Sequence, residues 1–300
     1  MKELLVISGK GGTGKTSVVG TFAMLAGNAV LADCDVDAAN LHLLLDPQVK
    51  QEHAFHGLPR VKIDRDVCTA CGLCLEACRF DAIDPEYVVD QLACEGCGVC
   101  LRLCPADAIL SQERVAGHWF ISETPFGPLV HAHLNAAEDN SGKLVAEVRR
   151  AARETAKQQQ LELIITDGPP GIGCPVISAL SGIDLALLVT EPSVSGWHDL
   201  ARALELTEHF KVQTVVCINK ADLHESMSRQ IEWHCYDRGI EVIGTIPFDE
   251  RFAQAAVTGH LPIGDRTPGT TALHTLWEKT YALLMEEELP EVPSKQMKRQ

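Results

Sequence analysis

The segment Gly9-Lys10-Gly11-Gly12-Thr13-Gly14-Lys15-Thr16 lies between an apolar stretch, Leu4 to Ser8, and a run of helical periodicity from about Thr16 to Ala26. No other feature constrains the fold as tightly. Glycines let backbone N–H groups turn toward one anion, and the helix that follows adds its positive N-terminal end, which is what a phosphate-binding loop requires. A strand feeding such a loop belongs in an α/β fold, with Lys15 placed to reach the β- and γ-phosphates of a nucleotide and Thr16 to hold Mg²⁺ through its hydroxyl.

The rest of the chain supplies that fold at both ends. A second strand is predicted at Ala29 to Ala32. After a long interruption a helix from about Asn140 to Gln160 leads to strands at Leu161 to Thr166, Leu185 to Thr190, Thr214 to Ile218 and Glu241 to Ile246. Strands alternating with helices imply right-handed crossovers, a mainly parallel sheet with helices on both faces, and ligands at the strands' carboxyl ends.

The interruption is a duplication. Cys68 to Ile83, C-T-A-C-G-L-C-L-E-A-C-R-F-D-A-I, returns as C-E-G-C-G-V-C-L-R-L-C-P-A-D-A-I, Cys94 to Ile109. Each copy carries C-x2-C-x2-C-x3-C, the bacterial ferredoxin spacing, in which three cysteines hold one 4Fe-4S cluster and the fourth reaches across to the other. One set is then Cys68, Cys71, Cys74 and Cys104, and the other Cys94, Cys97, Cys100 and Cys78. Zinc is the rival ligand for thiolates, though its sites usually separate two cysteine pairs by a longer spacer. Arg79 departs from the pattern where the second copy has Pro105. The expected organisation is an α/β body in two parts, 1–56 and 113–300, with a small α+β ferredoxin-like domain inserted at 57–112.

Eight of the twelve cysteines fall in this duplication, and no export signal precedes them, which points to a reducing cytoplasm. The net charge of −15 disfavours nucleic acid as a partner. No apolar run approaches the roughly 18 residues of a membrane span, and no membrane association is expected.

Lys10, the extra lysine after the first glycine, makes the loop resemble that of the deviant Walker A ATPases, the MinD superfamily, which includes MinD, ParA and the nitrogenase iron protein. The resemblance implies ATP and Mg²⁺ bound by Gly11, Gly12, Thr13, Gly14, Lys15 and Thr16. It also implies an ATP-sandwich dimer, of two copies or with a paralogue, in which Lys10 touches the partner's nucleotide. Asp33-Cys34-Asp35-Val36-Asp37 resembles switch I, which implies Asp33 at the ATP and Mg²⁺ and Asp35 orienting the attacking water. Asp167, at the end of a strand, resembles the Walker B aspartate that binds Mg²⁺ through water. Gly168 to Gly173 looks like switch II, and Asn219 of Asn219-Lys220-Ala221-Asp222 is the residue expected at adenine.

Cys174 lies seven residues beyond Asp167, the offset of a cluster ligand in the nitrogenase iron protein; a packed thiol beside Pro175 is the other reading. Cys34, Cys217 and Cys235 read as core thiols, and His131-Ala132-His133 as an exposed loop pair. Asn140 or Ser141 would cap the helix before Asp167. The C-terminal helix, about Thr271 to Glu287, ends in Glu286-Glu287-Glu288, unlike a basic membrane anchor.

Such a chain is expected to hydrolyse ATP, slowly without a partner, and to couple nucleotide state to electron transfer toward an unknown redox protein. The junction of the insertion with switch I is the expected point of coupling. The alternative is an iron-sulfur assembly or carrier ATPase that hands a cluster to an acceptor. A positioning ATPase of the MinD or ParA kind comes third.

Overall fold

The computed structural model describes residues 1–135, 138, 141–259, 261–262, 264 and 266–286, and of Ala253, Ala256 and Val257 only the backbone. Asn140, Glu287, Glu288 and the tail beyond them, on which expectations fell, lie outside the described residues.

In chain order the elements are β1 (Lys2–Ser8), α1 (Lys15–Ala26), β2 (Val30–Asp33), α2 (Leu41–Leu45), β3 (Gln48–His56), β4 (Arg60–Ile63), α3 (Leu73–Ala77), α4 (Val99–Leu103), β5 (Ile109–Gln112), β6 (Val115–Thr124) and β7 (Gly127–Leu134). The chain continues with α5 (Ser141–Gln159), β8 (Leu163–Pro170), α6 (Cys174–Leu180), β9 (Leu185–Thr190), α7 (Val194–His209), β10 (Gln213–Asn219), α8 (Glu225–Asp237), β11 (Glu241–Ile246), α9 (Glu250–Thr258) and α10 (Pro268–Met285).

Among the described residues nine strands form one sheet in the order β11-β10-β9-β1-β8-β2-β7-β6-β3. From β11 to β7 every pairing is parallel, and β6 runs antiparallel to both β7 and β3. The central strands are buried on both faces, so their sequences are nearly continuous apolar runs. Leu5 and Ile7 of β1 pack with α5, α6, α7 and α8, while Leu4 and Val6 pack with α1, α2 and α10. Cys34, Cys217 and Cys235 are buried in these cores, as expected.

Three departures from the sequence reading matter. First, β3, β6 and β7 widen the sheet beyond β2. They place His131 and His133 on a strand rather than in a loop. His131 stacks on Phe120 and His42, and burial, with His42 and His133 adding to it, pushes it down to about 4. Second, β8 begins two residues later than expected and continues through Asp167 to Pro170, which pairs with Ser8 across a register shift. Switch II is thereby shortened to the residues just before α6.

Third, the cysteine-rich segment does not leave the sheet at switch I. Between Asp37 and the module lie α2 and β3. The segment hangs from the β3–β6 pair, whose register runs from Gln48 opposite Glu123 to His56 opposite Val115. The sheet's topology is the reason: β3 must travel back along an edge before the chain can depart.

Candidate functional site

The carboxyl ends of β1, β2, β8, β9 and β10 converge on the phosphate-binding loop, as a doubly covered parallel sheet requires. A cavity of about 540 Å³ opens there. Ser8, Gly11 to Val18, Asp35, Pro170 and Asn219 line it on the loop side, and Ile246, Pro247, Phe248, Asp249 and Phe252 on the other. Gly14 has φ 93°, and a Cβ there would stand 2.2 Å from the Asn219 amide nitrogen, so both its conformation and its neighbour call for glycine.

Lys15 is 6% exposed, and its Nζ lies 2.7 Å from Asp167 Oδ1 and 3.3 Å from Asp35 Oδ2. Burial pulls its pKa down, but Asp167 and Asp35 more than offset this, and the ammonium is held above the usual lysine range. Asp35 is pushed up by burial against the opposing pull of Lys15. Asp33 adds to the same pull, so three aspartates crowd one lysine.

The residues fit a divalent cation. Asp167 Oδ2 and Thr13 Oγ1 are buried without a hydrogen-bond partner, and Mg²⁺ takes one or two carboxylates together with phosphate oxygens and water.

Asp33 is fully buried and does not line the cavity. Its carboxylate accepts from Asp35 N (3.1 Å) and Leu41 N (3.1 Å), so it ties the switch I loop to the start of α2. Burial, reinforced by Asp167, pushes it up to about 8. Its geometry is that of a loop organiser, not of a nucleotide contact. Asn219, the residue expected at adenine, lines the cavity, and its amide donates to Thr13 O (2.7 Å), bracing the loop. Asp222 accepts from Phe248 N (2.6 Å), so its carboxylate holds the far wall of the cavity.

Lys10 lies against its own chain. Its ammonium meets Glu191 Oε1 at 2.7 Å and donates to Ser195 Oγ at 2.8 Å and Ser193 Oγ at 3.3 Å. Lys220 bridges Glu191 Oε2 (2.8 Å) and Gly12 O (3.1 Å). Burial opposes ionisation of Glu191, but the two lysines prevail and hold it below the usual carboxylate range. Sequence reasoning missed Glu191, Ser193 and Ser195. Their signal was the stretch Glu191-Pro192-Ser193-Val194-Ser195 directly after a predicted strand, at the sheet's ligand-binding end.

In the cysteine module the duplication extends to the backbone. Ala70 and Gly96, Gly72 and Gly98, and Asp81 and Asp107 all have positive φ at matching places in the two copies. Cys68 N donates to Asp64 O and Cys94 N to Asp90 O, both at 3.0 Å. Cys78 (φ −74°, ψ 109°) and Cys104 (φ −73°, ψ 110°) coincide although only Cys104 precedes a proline, so Arg79 leaves the local geometry unchanged.

Two cavities flank the small core of Val61, Ile63, Cys74, Ile83 and Ile109. One is lined by Cys68, Cys71, Cys74 and Cys104. The other is lined by Cys78, Cys94, Cys97 and Cys100. Among the described residues no three His, Cys, Asp or Glu side chains converge as they would on a single ion; these thiols instead surround cavities, four to each. Cys174 stands apart, exposed at the first position of α6.

Residues 4–263 match the family described as the CobQ/CobB/MinD/ParA nucleotide binding domain. The chain is 36% identical over 251 residues to the uncharacterised protein MJ0578 of Methanocaldococcus jannaschii, which covers 82% of this chain and 84% of that protein. It is 27% identical over 165 residues to the iron-sulfur cluster carrier protein of Pyrococcus horikoshii, covering 48% of this chain and 54% of that one. Among solved structures it is similar to the septum site-determining protein MinD of Pyrococcus horikoshii complexed with Mg-ADP, with TM-score 0.57 and 17% identity over 93% of this chain and 95% of that one. No described helix is long and apolar enough to cross a membrane. With the family matched from β1 to beyond α9, the chain belongs to the CobQ/CobB/MinD/ParA nucleotide-binding family and is a P-loop ATPase carrying a cysteine-rich insertion.

Proposed function

We propose that this ATPase couples its nucleotide state to two 4Fe-4S clusters that pass electrons to a partner protein in the cytoplasm. One observation carries the reading. Each of the two module cavities is lined by four cysteines drawn from both copies of the repeat, the sets that ferredoxin spacing requires. Cys68, Cys71, Cys74 and Cys104 would hold one cluster, and Cys94, Cys97, Cys100 and Cys78 the other, in a module of residues 57–112. Such clusters accept and release single electrons at potentials set by charge, hydrogen bonding and exposure.

The body's own residues bind the nucleotide and sense its state. Gly11 to Thr16 surround the phosphates, Lys15 turns from Asp167 toward them, and Asp167 is freed for Mg²⁺. Asp35 orients water for attack. Lys10 leaves Glu191 to reach across a dimer interface, between two copies or with a paralogue. Both switches thus change partners on binding.

A second reading, cluster delivery to an acceptor, is favoured by the similarity to an iron-sulfur cluster carrier protein and by the exposed thiol of Cys174. Anaerobic reconstitution with iron and sulfide, followed by challenge with a ferrous chelator, separates the two. The redox reading expects about eight irons per chain, from four per cluster, retained with ATP or without. Ready loss of one cluster, or its transfer to an apo-protein, favours the carrier. Binding of a single zinc with no labile sulfide refutes both.

A further inference from the structure

The coupling proposed above needs a physical route, and the route leads through switch II. Beyond β8 the chain turns at Gly171 (φ 88°) and enters α6 at Cys174. Helix α5 grips α6 at both ends. At one end Gly142 lies on Cys174 so closely that a Cβ would stand 3.3 Å from its carbonyl carbon, carbonyl oxygen and Cβ. At the other, Arg149 Nη1 donates to Ser178 O (2.9 Å) and Ser181 O (2.7 Å). Val145 and Val148 of α5 share one core with Val176 and Ala179 of α6. A displacement of α6 therefore moves α5, because packed interiors transmit strain instead of absorbing it.

The N-terminal end of α5, together with Glu138 just before it in the chain, touches both chain crossings into the module. Lys143 Nζ donates to His56 O (3.0 Å) at the end of β3 and lies 5.5 Å from the Phe55 ring centroid. Glu138, just before α5, pairs with Arg60, where β4 begins, at 4.0 Å, and with Arg114, where β5 returns to β6. Outgoing and returning strands are both held from one place.

We propose that α5 carries nucleotide state from switch II to the cysteine module, with Lys143 and Glu138 as the positioning residues at its neck. The inference rests on the reading that nucleotide and clusters are coupled, and specifies by which element. Along the chain, switch I is separated from the module by α2 and the full length of β3, and near the neck its backbone bond to another element is that of Val36 O, accepting from Leu134 N (3.4 Å).

Hydrogen exchange on the reconstituted full chain tests it, comparing ADP with a non-hydrolysable ATP analogue. Wild type is expected to show a nucleotide-dependent change in peptides spanning 55–62 and 112–118. Lys143→Met and Glu138→Gln should each lose that change while the P-loop peptides keep theirs and iron content is undiminished. Lys143→Arg, which can keep both the hydrogen bond and the cation–π contact, should retain it. The two lesions report independently, so a variant that fails to fold leaves the other to decide. A wild-type difference that persists in the folded variants overturns α5 as the route and leaves the coupling reading standing. No difference in wild type overturns both.

Discussion

In the nucleotide site the charged groups already have protein partners: Lys15 has Asp167 and Asp35, Lys10 has Glu191, and Asp33 has two backbone N–H groups. Around it stand two large apolar cores, one on each face of the sheet. The module is built the other way. Its core has five buried residues, one of them Cys74, and the remaining cluster cysteines border cavities. A unit this small has a marginal core, which metal or disulfides often reinforce, and every cysteine here is free of disulfides. The body is therefore folded by its own side chains, whereas on the proposed function the module would depend on what its thiols hold.

Removing iron should break that contrast most visibly. Chelation, or Cys100→Ser, is expected to make residues 57–112 susceptible to protease while the body's thermal transition persists, as read by limited proteolysis and calorimetry. Simultaneous melting of both would show that the module's fold does not depend on its thiols.

Next in size is Lys15→Ala. ATP hydrolysis should fall about 100-fold or more, since the lysine's charge is aimed at the reacting phosphates. The same change leaves Asp35 and Asp167 without their cation and should cost roughly 3–5 kcal/mol in denaturant melts at neutral pH.

Arg149 sharpens the body's side of the comparison. It is 5% exposed and joins Glu3 (2.7 Å) to the carbonyls at the end of α6. Arg149→Met should cost about 3 kcal/mol. Arg150→Ala, which removes exposed pairs with Glu147 and Glu154, should cost under about 1 kcal/mol.

A smaller effect than that of Arg149 belongs to the wing of β3, β6 and β7. His131 is held below its unfolded value near 6.5, down to about 4. As pH falls from about 6.5 to 4 the unfolded chain takes up the proton first, so stability falls over that window, by roughly 1–2 kcal/mol once its partial exposure is discounted. His131→Phe should flatten the dependence.

The same contrast explains what could be read from the sequence. Strands β9 and β11 match their expected limits residue for residue: β9 is buried along its whole length and must be a compact apolar run, and β11, half-buried at the other edge, is bracketed by Gly239 and Pro247. Strand β3 left no such trace: it lies at the edge of the sheet, and Phe55 is its only fully buried residue. Pro169 and Pro170 fell in the stretch that resembles switch II, yet β8 continues through them. Spacing alone proposes the two cysteine sets, and each of the two module cavities is lined by one such group of four. The partner of Lys10 was not legible, since Glu191 lies 181 positions away and arrives only through the order of strands. The neck of the module was misplaced for a similar reason: sequence adjacency to switch I says nothing of α5, which reaches it from the far side of β7.

The central claim is that nucleotide state governs the module, and electron transfer measures it most directly. The reconstituted chain, reduced and mixed with a one-electron acceptor, should give different transfer rates with ATP and with ADP, and the difference should vanish in Lys15→Ala. Equal rates with ATP, ADP and the variant would contradict the account.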